Sequence, residues 1–337
     1  MRKPLASLSL DLDNKWSYMK THGDAGWESF PSYLDVVVPR VLDFLAARDL
    51  KITFFIVGQD AALERNREPL ARLSAAGHEI GNHSFRHEPW LHLYSPTELD
   101  EELQRAEEHI ERATGARPRG FRGPGFSLSH ETLRALARRG YEYDASTFPT
   151  FLGPLARAYY FMTARLDDAE MEKRRELFGK FGEGFRPLKP YRWRVDGSTI
   201  VELPVTTMPL ARVPIHVSYL LYLGQFAPRL ALLYFRTALA LARATGTQVS
   251  LLLHPLDFLG AEDVPELAFF PAMRRPAVEK LELVGRALRL LTDNFEVVPL
   301  REHARRAATS TQLPLVEAHT LDQRRSQQAS SPIASRV

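Results

Sequence analysis

The chain contains no cysteine. That absence excludes disulfides, zinc–thiolate sites, iron–sulfur clusters and cysteine nucleophiles, and any metal must be held by His, Asp or Glu. Charge of one sign is also scarce. The 44 Lys and Arg against 41 Asp and Glu leave a formal net charge of +3, too little to argue for nucleic acid. The compact basic run Lys173-Arg174-Arg175 reads as a solvated helix face. No secretory signal is visible, because Met1-Arg2-Lys3-Pro4 runs straight into an apolar strand; a cytoplasmic location is expected. No internal repeat stands out. What is present is ordinary for a globular protein: 337 residues, 45% hydrophobic and 25% charged. That suffices for one large α/β domain with extras, or for two smaller domains.

Strand and helix signals alternate through the first two-thirds of the chain, which predicts a parallel α/β sheet or barrel. Strands are expected at 5–12, 51–57, 78–82, 120–122 and 141–145. Helices are expected at 33–48, where Val37, Val41, Leu42 and Leu45 follow helical spacing, and at 68–76 before Gly77. Ser95-Pro96-Thr97-Glu98 opens another that runs to 114, and Ser129 caps one that ends at Gly140. Between 148 and 196 the chain becomes aromatic, charged and rich in Pro and Gly; it reads as an excursion with one helix at 167–178. Strands return at 199–205, 248–253 and 295–298, with helices at 228–244 and 276–292. Ser, Gln and Thr dominate the C-terminus. The expected organisation is a domain over 1–305, with 150–198 inserted, and a disordered tail over 306–337.

Chemistry-bearing side chains gather at the ends of the predicted strands, where parallel barrels keep their sites. Asp11 and Asp13, two apart, point to one face of a strand. His83 and His87 stand four apart, as a pair that can share a metal across a helical turn. Each motif alone has a bland alternative, since acids at strand ends and paired surface histidines are common. Arg122-Gly123-Pro124-Gly125 is a turn whose backbone N–H groups can hold an oxyanion, and Arg122 can clamp a carboxylate. Asp144 ends one strand, and His254 ends the apolar run Leu251-Leu252-Leu253. Together they offer a ligand set of one carboxylate and two imidazoles. Such a set suits zinc or a similar divalent ion with positions left for water and substrate.

This order of motifs resembles the polysaccharide deacetylase (NodB-homology) family, also called family-four carbohydrate esterases, over roughly residues 5 to 300. Flanking residues carry the likeness further: Thr53-Phe54-Phe55, and Gly77-His78-Glu79-Ile80-Gly81-Asn82 leading into His83. The resemblance implies an α/β fold, a distorted or incomplete (β/α) barrel. It implies Asp11 as general base and Asp13, His83 and His87 as metal ligands. Arg122 matches the residue that orients the base, Gly125 the oxyanion donor, His254 the general acid, and Asp144 the carboxylate that orients and charges His254. The implied metal is zinc, with cobalt, nickel, manganese or iron as alternatives. The implied reaction is hydrolysis of an N-acetyl or N-formyl group from an amino sugar. This chain departs from the family pattern in three places. Leu12 separates the usual adjacent aspartates, Gly125 stands where an aromatic is common, and no Trp follows Asp144.

The segment 213–244 is unusually apolar, with Arg229, Arg236 and Arg243 spaced seven apart. It reads as a helix covering the barrel, or as a peripheral contact with the inner membrane face and a lipid-linked sugar. His216, Gln225, Pro228 and Arg229 interrupt it too often for a membrane span. Trp16, Trp90 and Trp193 are candidates to stack on a sugar, with core packing the expected role of each. Two rival readings remain open. One is an amidohydrolase of a small non-sugar amide, such as a ureide or imide, on the same fold. The other is a catalytically silent sugar-binding module.

Overall fold

A computed structural model describes residues 3–153, 181–310 and 312–321. The expected helix at 167–178 and the Lys173-Arg174-Arg175 run lie outside the described residues. In Leu5–Asp11 (β1), Ala6, Leu8 and Leu10 are buried in the helical layer. Ser7, Ser9 and Asp11 alternate onto the opposite face, as a pleat requires. Next come Lys15–His22 (α1), Leu34–Ala46 (α2), Thr53–Ile56 (β2), Gly58–Ala61 (α3), Glu64–Ala75 (α4) and Glu79–Asn82 (β3). Pro96–Thr114 (α5) starts with a full Ser95/Glu98 capping box and stops at Gly115, whose φ of 71° needs glycine. Gly120–Phe121 (β4), His130–Arg138 (α6) and Tyr143–Asp144 (β5) follow.

Beyond the excursion lie Tyr191–Val195 (β6), Ser198–Glu202 (β7), Val217–Gly224 (α7), Pro228–Thr245 (α8) and Val249–Leu253 (β8). Ala277–Asn294 (α9), Glu296–Val298 (β9), Leu300–Ser310 (α10) and Leu315–Glu317 (β10) complete the described chain. The sheet runs β10-β6-β7-β5-β4-β3-β2-β1-β8, with β9 also on β1. Its pairs are parallel except the β6–β7 hairpin. As a strand ladder it stays open, ending at β10 on one side and at β8 on the other. The extended backbone after β7 narrows that gap: Val205 N–H donates to Thr147 C=O and Thr206 N–H to Ser250 C=O, each at 2.9 Å. The result is an incomplete (β/α) barrel, as the resemblance implies.

The main core lies outside the barrel, where Val41, Leu45, Phe235, Leu239, Leu288 and Leu291 pack on Leu8, Leu10 and Phe54. Inside, Phe55, Tyr143, Val201 and Leu203 meet Leu300 and Ala304 of α10, which plugs the end opposite the strand C-termini.

Three stretches differ from the expectation. Residues 191–195, expected within the insertion, form a sheet strand because Asp196 and Gly197, both at positive φ, turn the chain back onto β7. Residues 306–310 and 312–321, expected to be tail, finish α10 and add β10 to the edge of β6, and Ala318 is buried beside Trp193. Helix α1 carried no apolar periodicity; Asn14 caps its start and Gly23, φ 89°, ends it.

Candidate active site and metal centre

Strand register brings the distant motifs to one rim. Leu10 pairs with Leu253, so Asp11 and His254 follow side by side. Asp11 pairs with Phe55, Ile56 with Asn82, Asn82 with Phe121, Phe121 with Asp144, and Asp144 with Glu202. All these positions lie at or just past strand C-termini.

The metal-ligand candidates converge. His83 Nε2 and His87 Nε2 lie 3.3 and 3.0 Å from Asp13 Oδ1, and donor atoms of the three residues fall within 4.8 Å of one another. His83 Nδ1 is 2.6 Å from the Arg122 carbonyl, a contact that needs a proton on Nδ1 and leaves the Nε2 lone pair, on the Asp13 side, available to a metal. Asp13 Oδ1 is buried without a conventional hydrogen bond. Burial alone would raise the Asp13 carboxyl, but His87 and His83 hold it well below the usual carboxylate range. Burial likewise opposes charge on His83, yet Asp11 and Asp13 leave its pKa raised. A buried carboxylate oxygen facing two imidazole nitrogens is what a divalent ion would satisfy, so the residues fit the implied metal.

The pair does not sit on a helical turn, as its spacing suggested. Both histidines belong to the loop after β3, where Ser84 and His87 adopt φ of 62° and 56°. Two buried groups hold that backbone. Glu102 of α5 accepts from the N–H groups of Phe85 (2.9 Å) and Arg86 (2.6 Å), and Ser84 Oγ accepts from His87 N–H. On the other side Asn14 Oδ1 accepts from Lys15 and Tyr33 N–H, while its amide donates to Asp60 Oδ1 at 2.7 Å. Burial, countered by Asn14 and Trp16, pushes Asp60 up to about 7. Asp60 and Glu102 gave no signal in the sequence. Asn14 gave a weak one, as a helix cap directly after a ligand.

Asp11 is clamped by Arg122, whose Nη1 donates to Asp11 Oδ1 at 2.7 Å and to Ser9 Oγ at 2.8 Å. Arg122 Nε donates to the Ala145 carbonyl, and its guanidinium lies over the Phe55 ring at 4.5 Å. The arginine is fully buried. Gly125 sits at φ 57° in the turn Pro124–Phe126, exposed beside Pro89 of the histidine loop.

His254 has other neighbours than the expected Asp144. Its Nδ1 is 3.0 Å from Ser218 Oγ of α7, and its backbone N–H donates to Asp257 Oδ2 at 2.8 Å. Ser218 also hydrogen-bonds the Asp257 carboxyl, so one hydroxyl links imidazole and acid. Asp144 instead accepts from the Ser146 hydroxyl at 2.6 Å and lies against Glu202. Burial first, and then Glu202, hold Asp144 well above the usual carboxylate range. Among the described residues Asp144 takes Ser146 as a hydrogen-bond partner, and the pairing with His254 that the resemblance implied is not among its contacts. Asp257 was readable only as the acid three residues past His254, and Ser218 not at all. Trp16 and Trp193 are wholly buried and donate to Asp60 and Glu202, which takes them out of any sugar subsite.

The polysaccharide deacetylase family model matches residues 24–143, a span that holds His83, His87, Arg122 and Gly125. The peptidoglycan deacetylase of Helicobacter pylori is 28% identical over 149 residues, 42% of this chain and 49% of that protein. A Bacillus cereus peptidoglycan-N-acetylglucosamine deacetylase is 34% identical over 96 residues, 28% of this chain and 34% of its own length. The chain thus spans half or less of these two relatives. A solved structure from Mycobacterium smegmatis, provisionally assigned as a polysaccharide deacetylase, superposes with TM-score 0.62 at 21% identity, covering 93% of each chain. An allantoinase structure superposes with TM-score 0.57 at 17% identity, covering 91% of each. Both share the fold. Over residues 24–143 the chain is thus similar to the polysaccharide deacetylase family, as the motifs implied.

Proposed function

We propose that this protein is a hydrolase that removes an N-acyl group, acetyl or formyl, from an amino sugar. The observation that carries this reading is the cluster of Asp13, His83 and His87 beside a second aspartate, Asp11, clamped by a buried arginine. The deacetylase names of the relatives support the same substrate class. Asp13, His83 and His87 would hold the divalent ion, zinc first, and the bound ion supplies Lewis acidity toward water and the acyl oxygen. Asp11 takes the proton of the attacking water, and its salt bridge to Arg122 fixes which carboxylate oxygen is free to do so. Gly125 N–H donates to the oxygen that becomes anionic as the acyl carbon turns tetrahedral. His254, oriented through Ser218 and Asp257, gives its proton to the leaving nitrogen as the C–N bond breaks. The products are a carboxylic acid and a free amino sugar.

The reading includes a cytoplasmic enzyme that meets a lipid-linked sugar at the inner membrane face. Among the described residues no helix is long and apolar enough to cross a membrane. The test is amine release from N-acetyl and N-formyl amino sugars, run beside a cyclic ureide and a cyclic imide. Turnover of the sugars alone supports the reading. Turnover of the ureide or imide alone would replace it with the rival amidohydrolase, and tight metal binding with no hydrolysis of any of them would leave a binding module.

A further inference from the structure

Helices α7 and α8 form an antiparallel hairpin on the rim. Gly224 approaches Ala231, and Tyr234 donates its hydroxyl to the Pro214 carbonyl at 2.7 Å. The inner side is conventional core, where Leu221, Phe235 and Leu239 are buried. The outer side is not. Phe226 at the tip is 76% exposed, Leu230 65% and Leu233 57%, with Tyr222 beside them. Arg275 donates to the Gln225 carbonyl, which brings exposed Val278 of α9 to the same tip.

The tip stands at the site's end of the barrel. His216, just before α7, has its ring 6.1 Å from that of His254. The residues from Pro228 to Tyr234 span about 9 Å of helix at 1.5 Å per residue. Charge on the hairpin itself has one sign, and the acid beside its tip, Glu279 of α9, is paired with Arg275. Residues 213–246 contain Arg229, Arg236 and Arg243 and no acid. Arg229 and Arg236 are exposed and have no ion-pair partner among the described residues, whereas Arg243 donates to Asn294.

We propose that the α7–α8 tip is a docking surface for an anionic lipid bilayer, in which Phe226, Leu230 and Leu233 enter the interface while Arg229 and Arg236 meet headgroup phosphates. Apolar side chains that project from a rigid hairpin, flanked by arginines, suit the boundary between headgroups and acyl chains. A protein partner would have to set an acidic patch beside an apolar one to match both features, whereas an anionic bilayer presents both along its whole surface. Docked this way, the mouth of the site faces the membrane, which deepens the lipid-linked part of the reading above. The docking itself does not depend on the reaction.

The test is cosedimentation of the full chain, without substrate, with vesicles of phosphatidylcholine plus phosphatidylglycerol and with phosphatidylcholine alone. Binding to the anionic vesicles is expected to be roughly thirty-fold tighter, from about 1 kcal/mol per arginine at the surface. Adding salt should weaken it. The variant F226S/L230S should lose at least about ten-fold in binding, and R229S/R236S should erase the preference for anionic vesicles. Both should keep wild-type circular dichroism and melting temperature, since the changed side chains project into solvent. Equal binding of wild type and F226S/L230S overturns the proposal, as does no binding to either vesicle. A dimer in lipid-free solution that F226S/L230S dissolves would assign the face to a second copy instead. Because no substrate is present, failure to find deacylation leaves this result standing.

Discussion

Two aspartates separated by one leucine are proposed for different duties because each meets a different partner. Asp11 ends β1 against Arg122, whereas Asp13 lies just beyond the strand against two imidazoles. Substitution of Asp11 by Asn should lower kcat by about 10²–10⁴-fold and leave bound metal nearly unchanged. Steady-state kinetics beside elemental analysis checks both, and normal turnover in that variant would remove Asp11 from the role of base. Asp60 predicts a pH effect. Its carboxyl sits at about 7 in the folded protein against an ordinary 3.8, chiefly through burial. Between those values the folded chain keeps a proton that the unfolded chain has released. Stability from this group is therefore fully present below 3.8 and lost as pH rises through about 7. Asp60→Asn should flatten that slope. Urea denaturation of metal-free protein at several pH values across the window would show it, and an unchanged slope would assign the dependence elsewhere.

At the scale of elements, the proposed metal centre depends on a loop in which no backbone ladder fixes His87. Glu102, reaching from α5, replaces that ladder with two hydrogen bonds to Phe85 and Arg86. Glu102→Ala should weaken metal affinity by about 10–100-fold, the usual range for groups that support ligands. Glu102→Gln, which keeps an acceptor, should recover most of the loss. Metal titration by calorimetry reads both variants, and equal affinity in wild type and the alanine variant would relieve Glu102 of this task. The turn at Gly125 makes a second case. Its φ of 57° disfavours a side chain, and a Cβ would meet Pro89 at 3.2 Å. Gly125→Ala should cost about 1–2 kcal/mol of stability in addition to any effect on rate.

For the whole molecule, the C-terminal segment closes an edge that the barrel strands leave open. Ala318 and Leu321 are buried with Tyr191 and Trp193, and β10 takes up the free side of β6. Truncation after Ser310 should destabilise the chain by about 3 kcal/mol, from lost apolar burial, and expose β6 to edge pairing. Chemical denaturation and light scattering would reveal the two effects. Metal binding links to the same global stability. With free ion at about a hundred times its dissociation constant, chelation should remove about 2.7 kcal/mol and lower the melting temperature, while Asp13→Ala should show no response to chelator.

The residue types that could hold a metal, and the strand ends that carry them, were legible in the sequence because both are local properties. Apolar alternation marks β1, a capping box marks α5, and His83 and His87 stand four apart whatever surrounds them. The tertiary structure alone decided which side chains answer one another. Ser218 reaches His254 across thirty-six positions, Glu202 rather than His254 lies against Asp144, and Glu102 holds a loop from another helix. Those pairings follow from strand register and helix packing. They are set by burial summed over the whole barrel, and no short window of sequence records that sum.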